Sequence, residues 1–371
     1  MSKNINVPKL RFKEFSGEWE EKKLGNIANF YNSKRIPLTD SDRIKGIYPY
    51  YGASGIIDYV HDYIFDGEYI LLGEDGANIV MRNSRLVFLA KGKFWLNNHA
   101  HIFQAKESNS FLCEALERIN YTKYNTGTAQ PKLNAEIVKK IKLNLPQKQE
   151  QEKIASFLTS IDTKIEQLTK KEELLQQYKK GVMQKIFNQE IRFKADDGSE
   201  FPEWEEKKLS DILDYIQPTK YLVKDTEYNN SFKIPVLTAG KTFILGYTDE
   251  TDGIYKENLP VIIFDDFTTA NRFVNFQFKV KSSAIKILVP KENNNIKFIY
   301  EAMQMIKYEV GGHERHWISK FSFLDIFVPC VEEQNKIANF LSSIDDKIEE
   351  NQKILEKIKE FKKSLLQQMF V

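Results

Sequence analysis

The chain has 371 residues, 42% hydrophobic and 29% charged, with a formal net charge of +2. That length exceeds one ordinary core and suffices for two, and the near-neutral balance excludes a uniformly basic nucleic-acid-coating protein. No apolar run is long enough for a membrane span, Met1–Val7 lacks a basic-then-apolar leader, and two widely separated cysteines, Cys113 and Cys330, suit a reducing compartment, so a cytoplasmic location is expected.

Residues 8–30 open the chain with an aromatic-rich, charged segment. Apolar runs with strand character follow, Tyr69-Ile70-Leu71-Leu72 and Arg85-Leu86-Val87-Phe88-Leu89, separated by Gly, Asn and Asp. From Lys123 to Lys142 there are five lysines and one acid, Glu136. Such a stretch suits phosphates; on charge alone a solvated helix face is the preferred reading. The first globule ends at Leu145-Pro146, and a long helical pattern begins there, as proline favours. Residues 192–215 open a second globule like the first. Its strand runs are Val261-Ile262-Ile263-Phe264 and Ala284-Ile285-Lys286-Ile287-Leu288, and Val328-Pro329 precedes a second long helix. The expected division is 1–145, 146–190, 191–328 and 329–371.

The two halves share their ends. Trp19-Glu20-Glu21-Lys22-Lys23-Leu24 returns unchanged as Trp204-Glu205-Glu206-Lys207-Lys208-Leu209. The segment from Gln151 to Glu166 returns, with few changes, as Gln334 to Glu349. Between these anchors the halves scarcely match, so one frame carries two different middles.

Both helices carry an apolar seam. Ile154, Ile161, Leu168, Leu175 and Val182 recur every seven residues, with Leu158, Ile165 and Ile186 on the partner row. Ile337, Ile344, Ile358 and Leu365 repeat the frame, with Leu341, Ile348, Leu355 and Met369 opposite. Glu172, Lys179 and Asn351 interrupt the seam, and Leu174 and Tyr178 flank it, where they would shift the contact. Matched length and phase favour pairing of the two helices over separate packing on their own globules. The expected fold is α+β (mixed α/β). Two globules are separated by an antiparallel coiled coil, with an internal pseudo-two-fold repeat.

A variable globule, a repeated helix, another variable globule and another helix together resemble the specificity (S) subunit of type I restriction-modification enzymes. In the first half the resemblance rests on Tyr50-Tyr51-Gly52-Ala53-Ser54-Gly55, Gly73-Glu74-Asp75-Gly76-Ala77-Asn78, Asn97-Asn98-His99-Ala100-His101 and Gly127-Thr128-Ala129-Gln130-Pro131-Lys132-Leu133. In the second half it rests on the segments Pro235 to Thr242, Phe264 to Thr269 and His316-Trp317-Ile318-Ser319. The resemblance implies that each globule is a target-recognition domain reading one half of a bipartite, asymmetric double-stranded DNA site. It implies that the helices space the readers and dock methyltransferase subunits, two of them, and that restriction/translocase subunits join. It also implies that S-adenosylmethionine and adenine-N6 chemistry belong to the methyltransferase, with no cofactor and no metal in this chain.

Asn and Gln suit adenine, Arg suits guanine, and Lys suits phosphate. The candidate DNA-binding residues are Asn78, Asn98, His99, Gln130 and Lys132 in the first half and Lys241, Thr268, Arg272, Arg315 and Lys320 in the second. Gly127 and Gly311-Gly312 permit close backbone approach. Trp317 and Phe267 read as core anchors. Asp162 and Asp345, each inside a repeated Ser-Ile-Asp, are the candidate partner-binding residues.

The competing reading is a single-chain nuclease or methyltransferase. Glu74-Asp75 and Asp265-Asp266 follow apolar runs as nuclease carboxylates do, but no Pro-Asp with a following Glu-x-Lys completes the pattern. Gly240-Lys241-Thr242 mimics the end of a phosphate loop, yet Pro235 stands where that loop needs glycine. His99-x-His101 has no cysteine pair to complete a metal site. Asn-Pro-Pro-Tyr and Gly-x-Gly-x-x-Gly motifs are absent. A non-catalytic recognition subunit is therefore expected. A coiled-coil scaffold binding protein is the third class.

Overall fold

The computed structural model describes residues 6–127, 129–240, 242–310 and 315–371. Thr128, Lys241, Gly311 and Gly312 lie outside the described residues. The chain forms two compact units: Met1–Thr169 with Lys353–Val371, and Lys170–Gln352. Each unit is a globule plus one half of each long helix.

In the first unit, β1 (Glu20–Lys23) is followed by β2 (Ala28–Phe30), β3 (Lys45–Gly52), β4 (Gly55–Val60), β5 (Phe65–Gly73), β6 (Val87–Leu96) and β7 (Ala100–Ala105). Helix α1 (Asn109–Glu117), strand β8 (Lys142–Leu145) and the long helix α2 (Lys148–Phe187) follow. A six-stranded sheet runs β2-β7-β5-β6-β3-β4, and β1 and β8 form a separate antiparallel ribbon. Strand β5 is central because Ile70, Leu71 and Leu72 are apolar in succession and bury both faces. The Ser108 hydroxyl caps α1 through the Phe111 N–H, and Phe111, Leu112 and Leu116 pack inward. The lysine-rich stretch is not one helix: Lys139 ends a short helix, Ala135–Lys139, and Lys142 begins β8, paired with Glu21 at 2.7 Å.

The second unit contains β9 (Glu205–Lys208), β10 (Leu213–Ile216), β11 (Ile234–Leu237), β12 (Ile244–Thr248), β13 (Val261–Asp265), β14 (Asn271–Val274), β15 (Lys279–Val280) and β16 (Ile285–Pro290). Helix α3 (Ile296–Met305), strand β17 (Asp325–Val328) and the long helix α4 (Val331–Gln368) complete it. One sheet runs β10-β16-β13-β14, a second β12-β11-β15, and β17 pairs with β9 as β8 pairs with β1. The order β2-β7-β5-β6 of the first unit is thus repeated as β10-β16-β13-β14.

The start of each long helix is fixed in the same way. Gln151 donates to the Pro146 carbonyl at 2.9 Å, and Gln334 to that of Pro329 at 3.0 Å. Fully buried Glu150 pairs with Arg11 at 2.7 Å, and fully buried Glu333 with Arg192 at 2.9 Å. A carboxylate in the first turn also meets the positive end of the helix dipole.

Inside each unit the two long helices share one core. In the first, Ile154, Leu158 and Ile161 of α2 meet Leu365 of α4 and Met369 just past its end, and Phe370 stacks on Phe111 at 5.2 Å. In the second, Ile337, Leu341 and Ile344 of α4 meet Met183 and Ile186 of α2, and Phe187 lies 5.6 Å from Phe298. Each such buried side chain contributes about 1.5–3 kcal/mol relative to exposure. The pairing is antiparallel: Glu172 accepts from Gln352, and Lys179, seven residues on, bonds Asp345, seven residues back.

The seam differs from expectation in places. Leu174 and Tyr178 are exposed, so they do not shift the contact. Val182 is only half-buried and Met183 takes the buried place. Lys179 is an ion-paired member of the seam, and Asn351 is fully buried. Both cysteines are free, and burial pushes the Cys113 thiol up to about 12. Among the described residues no helix is long and apolar enough to cross a membrane.

Candidate nucleic-acid interface

In the first unit the loops after β5, between β6 and β7, and over residues 125–133 meet at one edge of the sheet. The Leu133 N–H donates to the Glu74 carbonyl at 2.7 Å, the Gly76 N–H to that of Pro131 at 3.0 Å, and the Glu74 N–H to that of His99 at 2.8 Å. The His99 ring meets Asp75 at 2.8 Å, and Lys132 lies 3.5 Å from Glu74. Of the sequence candidates, Asn98, His99, Gln130 and Lys132 are therefore brought together, and all four are exposed. Asn78 is not available: its amide bonds the Ser84 N–H and carbonyl at 3.1 and 3.2 Å, closing its own loop.

Beneath these loops lies a buried polar cluster. The Ile102 N–H donates to Asn32 Oδ1 at 2.9 Å, which turns Asn32 Nδ2 toward His101 Nδ1, also at 2.9 Å. Nδ1 must accept, so the His101 proton is on Nε2 and goes to the Leu133 carbonyl at 2.8 Å. The fully buried imidazole is thus neutral; burial pushes its pKa down, against the Leu133 carbonyl and Glu74, which push it up. Glu74 lies 3.6 Å from His101 and 2.7 Å from Arg35. Burial would raise its carboxyl, but the Arg35 hydrogen bond and the neighbouring positive groups outweigh this and hold it below the usual range. Arg35 also donates to the Asn98 and Ala100 carbonyls at 3.2 and 2.8 Å.

In the second unit the β13–β14 turn and residues 315–320 meet at the corresponding edge. Asp265 Oδ1 accepts from the Phe267 and Thr268 N–H groups at 3.0 and 2.9 Å, and Thr269 closes the turn with φ 57°. Fully buried Asp266 accepts from the Trp317 N–H on Oδ1 and the His316 N–H on its carbonyl, both at 2.8 Å. Its other oxygen faces fully buried Lys286 at 3.6 Å, and Lys286 donates to Gln217 at 3.2 Å. Thr268, Arg272, Arg315 and Lys320 are exposed around this edge. Trp317 is buried as expected; Phe267 is 40% exposed and is no core anchor.

The partner-binding candidates are both ion-paired within their own units. Asp162 bonds Lys362 at 2.5 Å, and Asp345 bonds Lys179 and Lys297, both at 2.7 Å. Each ion pair ties the helices within its unit, while the Asp162 side chain stays 42% and that of Asp345 35% exposed. The carboxylates weighed as catalytic are likewise engaged: Glu74 by Arg35, Asp75 by His99, Asp265 by turn amides and Asp266 by Lys286. Sequence reasoning does not nominate Asn32, Arg35, Lys286 or Gln217; a lysine inside the apolar run Ala284–Leu288 is the one visible signal.

The geometry defines a repeated scaffold that presents two unlike polar loop clusters. Residues 16–176 and 202–360 match the family described as the type I restriction modification DNA specificity domain, and the chain belongs to that family. It is 50% identical over 141 residues to the type I restriction enzyme EcoR124I/EcoR124II specificity subunit of Escherichia coli, and 36% over 146 residues to a putative Haemophilus influenzae specificity subunit. These matches cover 37% and 39% of this chain but only 35% and 37% of those relatives' lengths. It is 26% identical to the MjaVIII specificity subunit of Methanocaldococcus jannaschii, covering 96% of this chain and 94% of that one. The crystal structure of the type I restriction-modification S subunit from M. genitalium shares the fold, with a TM-score of 0.72 at 16% identity over 98% of this chain and 99% of that one.

Proposed function

We propose that the chain reads a bipartite, asymmetric double-stranded DNA site, one part with each unit, and performs no chemistry itself. Adenine-N6 methylation and restriction or translocation then belong to partner subunits, two methyltransferases among them, with S-adenosylmethionine held by the methyltransferase.

The observation that carries this reading is one strand frame with two unlike edges. Leu72 of β5 lies opposite His101, and Phe264 of β13 opposite Lys286, on matching rungs. Above these rungs the first unit offers Asn98, His99, Gln130 and Lys132, the second Thr268, Arg272, Arg315 and Lys320. Amides and imidazole suit base edges with mixed donors and acceptors; guanidinium groups suit guanine O6 and N7. Unlike edges on like frames read unlike half-sites.

The test is selection of bound duplexes from a random library by the full chain at several salt concentrations. The expected result is enrichment of two short, different sequences at a constant separation, with affinity falling as salt rises. Retention of all sequences alike would overturn the reading, and so would robust cleavage or methylation by the chain alone with Mg²⁺ and S-adenosylmethionine.

A further inference from the structure

We propose that Glu74–His101 and Asp266–Lys286 are the positioning pairs of the two readers, groups buried except for partly exposed Glu74, that fix the loops of their own unit without touching DNA. This rests on the two-part reading proposed above.

The pairs occupy one place in a repeated topology. The nitrogen-bearing partner, His101 or Lys286, stands opposite the residue two before the carboxylate, on the neighbouring strand, in both units. Asn32 bonds His101, and Gln217, which follows β10 as Asn32 follows β2, bonds Lys286. The carboxylate residue's carbonyl accepts from the Leu133 N–H in one unit and from the His316 N–H in the other. None of these positions repeats in residue type, so the arrangement survives where the sequence does not.

Stability alone does not explain them. Burying Lys286 and Asp266 completely costs several kcal/mol per ion before attraction offsets it, and apolar substitutes of similar volume often do as well or better. What the pairs do is hold loops. His101 fixes the Leu133 carbonyl, and Glu74 takes Arg35, which donates to the Asn98 and Ala100 carbonyls, so the 125–133 and 97–101 loops are tied to the sheet. Asp266 takes the His316 and Trp317 amides, so the segment bearing Arg315 and Lys320 is tied to β13. A base-reading side chain must sit within a fraction of an ångström of its partner, which a rigid supporting layer supplies.

The experiment compares the full chain with Glu74→Gln, His101→Gln and Lys286→Met in the random-duplex selection, alongside amide hydrogen exchange. Glu74→Gln should reduce base preference in one half-site by about tenfold or more, the discrimination of a good bidentate contact, and leave the other intact. Lys286→Met should do the converse. His101→Gln, keeping part of the hydrogen bonding, should give a smaller loss in the same half as Glu74→Gln. Exchange should quicken in residues 125–133 or 315–320 while β5 or β13 stays protected. Unchanged preferences in all three variants would overturn the proposal, as would loss of both halves in any one. If Glu74→Gln also exposes β5, His101→Gln decides for that unit. If the unmodified chain enriches no split sequence, the two-part reading fails; the exchange pattern still tests the positioning.

Discussion

The Lys179 ammonium lies 2.7 Å from the Asp345 carboxylate, and it does so from a position in the seam of the long helices. Its twin in the internal repeat is Lys362 on Asp162 at 2.5 Å. Lys179 also meets fully buried Glu301 of α3, as does Lys297, so in the second unit both helices and the globule share one network. The Lys179 and Lys297 hydrogen bonds and charges overcome burial, which alone would raise the Asp345 carboxyl, and hold it below its ordinary range.

Asp345→Lys should therefore destabilise the second unit directly. Breaking a buried pair costs about 3–5 kcal/mol, and the partial exposure of Asp345 places this one at the lower end. Urea titration monitored by hydrogen exchange at α3 measures it. The reversed pair Lys362→Asp with Asp162→Lys should recover most of what either single change loses in the first unit. No recovery would mean the two residues do not interact in solution.

Arg192→Leu should cost more than the roughly 0–1 kcal/mol of an exposed ion pair, because among the described residues it leaves fully buried Glu333 with only the Trp204 indole N–H, at 3.1 Å. The expected loss is about 3–5 kcal/mol, confined to the second unit. Arg11→Leu should do the same to the first through Glu150. The additional change Glu333→Gln should restore part of the loss, since it removes the orphaned charge; the urea midpoint of each variant checks this.

The frame is legible in the sequence because it is periodic or repeated. The heptads mark both long helices, the duplicated Trp-Glu-Glu-Lys-Lys-Leu marks β1 and β9, and apolar runs mark β5, β13 and, interrupted by Lys286, β16. The site is legible in part. Asn98, His99, Gln130 and Lys132 lie on loops that converge, but residue types alone do not say which side chains the loops consume, and Asn78 bonds its own loop. The ion pairs of Asp162 and Asp345 leave no mark in the repeated Ser-Ile-Asp; both residues follow the seam residues Ile161 and Ile344 by one position. There a charge reaches across to the facing helix. Asn32, Arg35 and Gln217 leave no signal at all, since their importance lies in contacts with residues far along the chain, such as His101, Glu74 and Lys286.

Acid should loosen the first unit's loops before the second's. The folded His101 imidazole is held below the unfolded value of about 6.5. Its contribution is therefore complete above that value and is lost as pH falls through the folded one, when a proton on Nδ1 would displace Asn32. Glu74 faces the ring, with Arg35 and Lys132 beyond it, and its own lowered carboxyl is lost in the same sense at more acid pH. Hydrogen exchange of residues 125–133 between about pH 7.5 and 5, the window around the ordinary imidazole value, should quicken relative to 315–320; equal acceleration would contradict the assignment of a neutral His101.

Lys132→Gln should weaken binding to all duplexes alike and reduce the salt slope by about one, because an exposed lysine contributes charge without base information. Asn78→Ala should leave base preference intact and loosen only residues 78–85, since its amide serves that loop. Parallel salt titrations of the two variants check both.

The central claim is that each unit reads its part of the site alone. The structure places the exchange junctions: the Leu24 N–H meets the Ile141 carbonyl at 2.8 Å, and the Leu209 N–H that of Leu324 at 3.0 Å, just inside the β1–β8 and β9–β17 ribbons. Residues 25–141 of this chain should be replaced by the same span of a relative with a different target, leaving both ribbons and both long helices untouched. Selection from a random duplex library is then repeated with the exchanged chain. One half of the enriched sequence should change to the relative's and the other should stay as it was. A change in both halves, or in neither with the exchanged unit folded, would contradict the account.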